Sequence, residues 1–139
     1  MKRFPECETI NRNPIITCEE KRSKMIFKNP NQREVCLLRV DKCGIKEGLR
    51  CDYALTAEEN IEEFYIELKG CDVSDAFSQL EASIQKLSDD AYKHPKSCFI
   101  ISTRCPLDGP QIQIMRKRMQ NKYQAKLIIK NREYTHVLN

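Results

Sequence analysis

The sequence has no tryptophan, only four glycines and two histidines in 139 residues, and 7% aromatic residues. With so few rings, stacking on unpaired bases is not a theme of this chain. It has neither a glycine-rich phosphate loop nor a Gly-x-Ser-x-Gly elbow. Apolar runs such as Cys98-Phe99-Ile100-Ile101 are far shorter than the ~20 residues that span a bilayer. No apolar stretch follows the basic residues of Met1-Lys2-Arg3-Phe4-Pro5-Glu6, so no secretory signal is read and a cytoplasmic, membrane-free protein is expected. No Cys-x-x-Cys occurs, and neither His94 nor His136 stands at zinc-ligand spacing from a cysteine pair. The eight cysteines, at 7, 18, 36, 43, 51, 71, 98 and 105, are therefore expected to be reduced and mostly buried thiols. Repeats, low-complexity tracts and Gly/Ser linkers are also missing, which points to one domain over 1–139.

What is present is ordinary for a globular α/β domain: 40% hydrophobic and 32% charged residues, with a net charge of +4. Residues 1–33 are broken by Pro5, Pro14 and Pro30, and Thr17 with Glu20 predicts a capping box for a short helix near Cys18–Lys28. A core over 34–103 follows. Its expected strands are Glu34–Val40, Gly48–Leu55 and Phe64–Lys69, with a turn at Asp41-Lys42-Cys43-Gly44 and a polar connection over Thr56–Glu63. Asp72 caps a helix whose Val73, Ala76, Phe77, Leu80, Ile84 and Leu87 recur at spacings of three and four. Ser97–Thr103 reads as a buried strand, so strand, helix and strand predict a parallel crossover. Over 104–139, a loop from Pro106 to Pro110 leads to a basic helix at Gln111–Tyr123 and late strands at Lys126–Lys130 and Tyr134–Leu138. The expected architecture is a mixed sheet of about five strands flanked by helices.

The third strand carries the chemistry. Strand alternation puts Phe64, Ile66 and Leu68 on one face and Tyr65, Glu67 and Lys69 on the other. A carboxylate and an ammonium on a sheet covered on both faces need a partner or a purpose. A buried Glu67–Lys69 ion pair would be the structural answer. If Asp52 on the preceding strand lies beside Glu67, the two carboxylates repel, and a hard divalent cation is the usual way to hold them together. Such an ion polarises a phosphodiester and activates water, and Lys69 could orient that water.

The segments Cys51-Asp52-Tyr53-Ala54-Leu55, Phe64-Tyr65-Ile66-Glu67-Leu68-Lys69-Gly70 and Ala76-Phe77-Ser78-Gln79-Leu80 together resemble the PD-(D/E)xK nuclease superfamily, which includes restriction endonucleases and Holliday-junction resolvases. The resemblance covers roughly Glu34 to Thr103 at the level of motifs. It implies a restriction-endonuclease-like core and Mg2+ (Mn2+ as a substitute) held by Asp52, Glu67 and the Leu68 carbonyl. Lys69 would be the catalytic lysine, and Gln79 the polar residue supporting the site from the crossover helix. No proline precedes Asp52, and many members lack it too. Glu19 or Glu20 could supply the acidic residue common on the family's first helix, although Glu20 is also explained by the capping box.

These readings converge on a metal-dependent DNA endonuclease, with DNA favoured over RNA. The alternative is a catalytically inert nucleic-acid-binding or assembly subunit of the same fold. The basic run Arg116, Lys117, Arg118 and Lys122 suits a surface that follows a phosphate backbone, or a merely solvated face. With nearly all of the chain in the core, targeting falls to a homodimer, a partner protein or nucleic-acid shape.

Overall fold

The computed structural model describes residues 1–57, 62–68, 72–103 and 108–139. A 3-10 turn at Pro5–Cys7 leads into β1 (Glu8–Asn11), β2 (Ile15–Glu20), β3 (Ser23–Lys28), β4 (Val35–Arg39), β5 (Tyr53–Ala57) and β6 (Glu63–Glu67). Then come α1 (Val73–Leu87), β7 (Lys96–Ser102), α2 (Pro110–Tyr123), β8 (Ala125–Asn131) and β9 (Glu133–Val137). The fold is mixed α/β. One sheet has six strands in the order β1-β4-β5-β6-β7-β8, and a second has three in the order β2-β3-β9, so the expected five strands undercount it.

Strands β4, β5 and β6 form an antiparallel meander, with Leu37 opposite Leu55 and Tyr53 opposite Ile66. The α1 crossover then returns the chain to β7, which lies parallel to β6 with Glu67 opposite Ile100, as the helical stripe predicts. Asp72 caps α1 by accepting the Asp75 N–H at 3.2 Å. The large sheet is covered on both faces. Tyr65, Cys98, Ile100, Leu127 and Ile129 pack with Leu80, Ile84, Met115 and Met119 of the helices. On the other side Phe64, Ile66, Leu68, Phe99 and Ile101 pack with Met25 and Phe27 of the small sheet. No helix among the described residues is long and apolar enough to cross a membrane.

Three expectations are corrected. The helix near Cys18–Lys28 does not exist: this stretch is the β2–β3 hairpin, with Thr17 paired to Ile26 and Lys21 at φ 46° in the turn. Burial there has period two, with Ile16, Cys18, Ser23, Met25 and Phe27 inward, and this outweighs a local capping signal. Residues 1–33 are accordingly not irregular, since they hold three strands. The second strand begins at Tyr53, so residues 48–52 form its approach loop.

The cysteines differ as well. Cys7 and Cys43 form a disulfide with a Cα–Cα distance of 5.7 Å. The β1–β4 pairing sets Glu8 opposite Leu38, which carries Cys7 to the end of β4, where the following turn presents Cys43. Cys18, Cys51 and Cys98 are buried free thiols and Cys36 is half-buried. Cys71, Cys105 and the Pro106 end of the predicted loop lie outside the described residues.

Candidate active site

Asp52 is held by its own peptide before its side chain does anything. Its N–H donates to the Ile66 carbonyl at 3.0 Å, extending the β5–β6 ladder by one residue. Its carbonyl accepts the N–H groups of Val40 at 3.0 Å and Asp41 at 3.3 Å. One residue earlier, the Cys51 N–H donates to Ser83 Oγ on α1 at 2.7 Å. The Asp52 carboxylate turns toward β6, where Oδ2 accepts the Leu68 N–H at 2.8 Å. Glu67 ends β6 on the face that Tyr65 shares with α1.

The two carboxylates line one cavity of about 160 Å³ together with Gln79 from the second turn of α1. Asp52 and Glu67 are each only 3% exposed. Three of the residues singled out from sequence are thus brought together. Lys69, the fourth, lies outside the described residues. The combined field of the carboxylates is felt nearby. Burial first, and then the charges of Glu67 and Asp52, push the Cys51 thiol up to about 12 against the opposing Ser83 hydrogen bond. Burial and then Asp52 likewise push Cys18 up to about 12, so both thiols stay protonated.

The cavity mouth is made by residues that sequence reasoning passed over. Asp41, read there as part of a turn, and Arg50 both line it. Arg50 Nε donates to Asp41 Oδ1 at 2.8 Å and Nη1 to the Gly48 carbonyl at 2.7 Å. Gly48 has φ +82°, and a Cβ there would meet Lys86 Nζ at 2.9 Å, so the turn needs glycine. Lys86 in turn donates to the Glu47 carbonyl at 3.3 Å, holding the loop against α1. Ser83 is legible in principle, because a serine three residues after Leu80 and four before Leu87 falls on the apolar stripe of α1.

Two buried carboxylates are hard oxygen donors that suit a divalent cation such as Mg2+, and the Leu68 carbonyl is adjacent in the chain. Among the described residues no group of three or more His, Cys, Asp or Glu side chains converges as a metal site. The family-type acidic residue has no first helix to sit on. Glu19 and Glu20 belong to strand β2, where Glu19 pairs with Lys24 at 3.4 Å and Glu20 with Arg39 at 3.8 Å.

The basic residues of α2 lie away from this cavity and do not act as one run. Arg118 Nε is bonded to Glu81 Oε2 at 2.9 Å, and Lys122 Nζ sits 5.3 Å from the Tyr123 ring centroid. Lys117 is exposed, and Arg116 lines a different groove, beside β8.

Other buried charges are accounted for structurally. Glu63 accepts the Tyr65 hydroxyl at 2.8 Å and the Asp89 N–H at 3.2 Å. Lys96 donates to the Asp90 and Tyr123 carbonyls, each at 3.0 Å. Both sit at the start of their strands, at the opposite end from Glu67. No protein-family model, curated protein or solved structure matches the chain, so the reading of this site rests on its own residues.

Proposed function

We propose that the chain is a metal-dependent nuclease with a restriction-endonuclease-like core, hydrolysing internal phosphodiester bonds of DNA in preference to RNA. The observation that carries this reading is the burial of Asp52 and Glu67 in one small cavity with Gln79. Two buried carboxylates side by side are hard oxygen donors of the kind a divalent cation takes, and the meander–crossover–parallel-strand order supports the family resemblance.

In this reading Asp52, Glu67 and the Leu68 carbonyl would hold Mg2+, or Mn2+ in its place. The bound ion supplies Lewis-acid polarisation of the phosphodiester and a lowered pKa for water. The chain's own residues do the positioning. The Leu68 N–H fixes one oxygen of Asp52, leaving the other for the cavity. Gln79 offers a neutral amide from α1, and Arg50 places a guanidinium at the mouth, where an anionic substrate arrives. Lys69 follows Glu67 by two residues and would orient the attacking water and offset developing negative charge.

The test incubates purified protein with supercoiled plasmid, linear duplex, single strands and RNA, with magnesium or with chelator. Magnesium-dependent nicking is expected, with Lys69→Ala retaining metal binding by calorimetry but losing most of the rate. A second reading is favoured by the Asp52–Leu68 hydrogen bond, which gives Asp52 a purely structural use: an inert nucleic-acid-binding or assembly subunit. Wild-type protein that binds no magnesium and cuts none of these substrates would establish that rival.

A further inference from the structure

A cavity of about 580 Å³ runs along the open edge of β8, two strands away from β6 in the sheet. Every residue from Ala125 to Lys130 lines it, with Arg116 and Gln120 of α2 on one wall and Tyr134 of β9 on the other. β8 pairs only with β7, so among the described residues no strand covers its outer side. A row of backbone N–H and C=O groups therefore forms the floor of a walled groove.

The walls are cationic. Lys126 and Lys130 are exposed, lie on the same strand face, and stand ~13 Å apart at strand rise. Lys130 Nζ sits 5.5 Å from the Tyr134 ring centroid. Arg116 is half-buried, and among the described residues its Nε has no hydrogen-bond partner. Among the described residues no acidic side chain lines the groove. Asp108, which feels the Arg116 charge, accepts from the Gly109 N–H and from Gln113 Nε2.

These features choose among occupants. A second copy pairing β8 to β8 antiparallel about Ile128 would set Lys126 of one copy opposite Lys130 of the other, and like charges directly opposed are destabilising. A DNA backbone brings only acceptors, which would leave the β8 carbonyls facing anionic oxygens, and RNA adds just one hydroxyl donor per nucleotide beside the same phosphates. An extended peptide offers both donors and acceptors. With acidic side chains four residues apart on one face, it meets both lysines and places its central residue opposite Ile128. We propose that the β8 edge docks an extended acidic segment of a partner protein as a seventh strand of the large sheet. This site is independent of the nuclease reading.

The test measures anisotropy of a labelled serine-flanked peptide containing Glu-Thr-Val-Thr-Glu, with three comparators. These are the same peptide N-methylated at alternate residues, a peptide containing Lys-Thr-Val-Thr-Lys, and unlabelled duplex DNA. The acidic peptide is expected to bind saturably, to slow amide exchange over 125–131, and to be preferred to the lysine peptide by about tenfold or more. K126E/K130E, confirmed as folded by circular dichroism, is expected to reverse that preference, and N-methylation to abolish binding. Absence of saturable binding, equal binding of the N-methylated peptide, or an unchanged preference in K126E/K130E would overturn the proposal. So would DNA that displaces the peptide and itself loses affinity in K126E/K130E, an outcome that would assign the groove to nucleic acid.

Discussion

Replacing Asp52 separates its structural use from its proposed ligand role. Oδ2 accepts the buried Leu68 N–H at 2.8 Å, and the residue is 3% exposed. Asp52→Ala leaves that N–H without its acceptor, a cost of about 1–3 kcal/mol. For a chain of this size each kcal/mol moves Tm by about 3–5 °C, so Asp52→Ala is expected to melt roughly 3–15 °C below wild type. Asp52→Asn keeps an oxygen for Leu68 and removes a charge beside Glu67, so without metal it is expected to stay within about 1 kcal/mol of wild type. Magnesium should tell the variants apart. At a hundred times its Kd, an ion bound only by the folded state adds ~2.7 kcal/mol, or about 10 °C, to wild type. Both variants should lose that gain. The assay is thermal melting followed by circular dichroism with chelator or magnesium. A full magnesium-dependent rise in Asp52→Asn would refute the reasoning.

Two further predictions concern the scaffold. Cys7→Ser releases a loop closed over a sequence separation of 36, which chain-entropy arguments value at about 3–4 kcal/mol, measurable by urea unfolding under oxidising conditions. Equal stability of Cys7→Ser and wild type would mean the pair does not form. His136 packs 5.3 Å from Phe64 and 5.6 Å from Phe99 between ring centroids, and burial lowers its pKa below 6.5. The unfolded chain therefore binds a proton first as pH falls. Stability should be full above 6.5 and decline as pH drops from there toward the folded-state pKa, with His136→Phe flattening that slope. A slope unchanged in His136→Phe would remove His136 as its source.

The central core was legible because its signals are cooperative. The six apolar positions from Val73 to Leu87 fix α1, and alternation through Phe64–Leu68 fixes which face of β6 carries Glu67. Once the meander and crossover are in place, Asp52 and Gln79 must face the same end of β6 as Glu67. The hairpin at Ile15–Lys28 is hidden in the sequence because Thr17 and Glu20 imitate a local cap. Its true partner, β9, arrives more than a hundred residues later, with Lys24 opposite Glu133. The Cys7–Cys43 pairing also depends on a long-range event, the β1–β4 register, that no local pattern announces. Arg118 reads as part of a basic run because spacing within α2 cannot reveal Glu81 on α1.

The measurement closest to the central claim is cleavage of supercoiled plasmid by Glu67→Gln beside wild type, in magnesium and in chelator. Glu67→Gln keeps the side chain's size in its 3%-exposed position and replaces the carboxylate with a neutral amide. Wild type is expected to nick the plasmid only with magnesium, and Glu67→Gln, folded by circular dichroism, not to nick it at all. Undiminished nicking by Glu67→Gln, or nicking by wild type in chelator, would contradict the account.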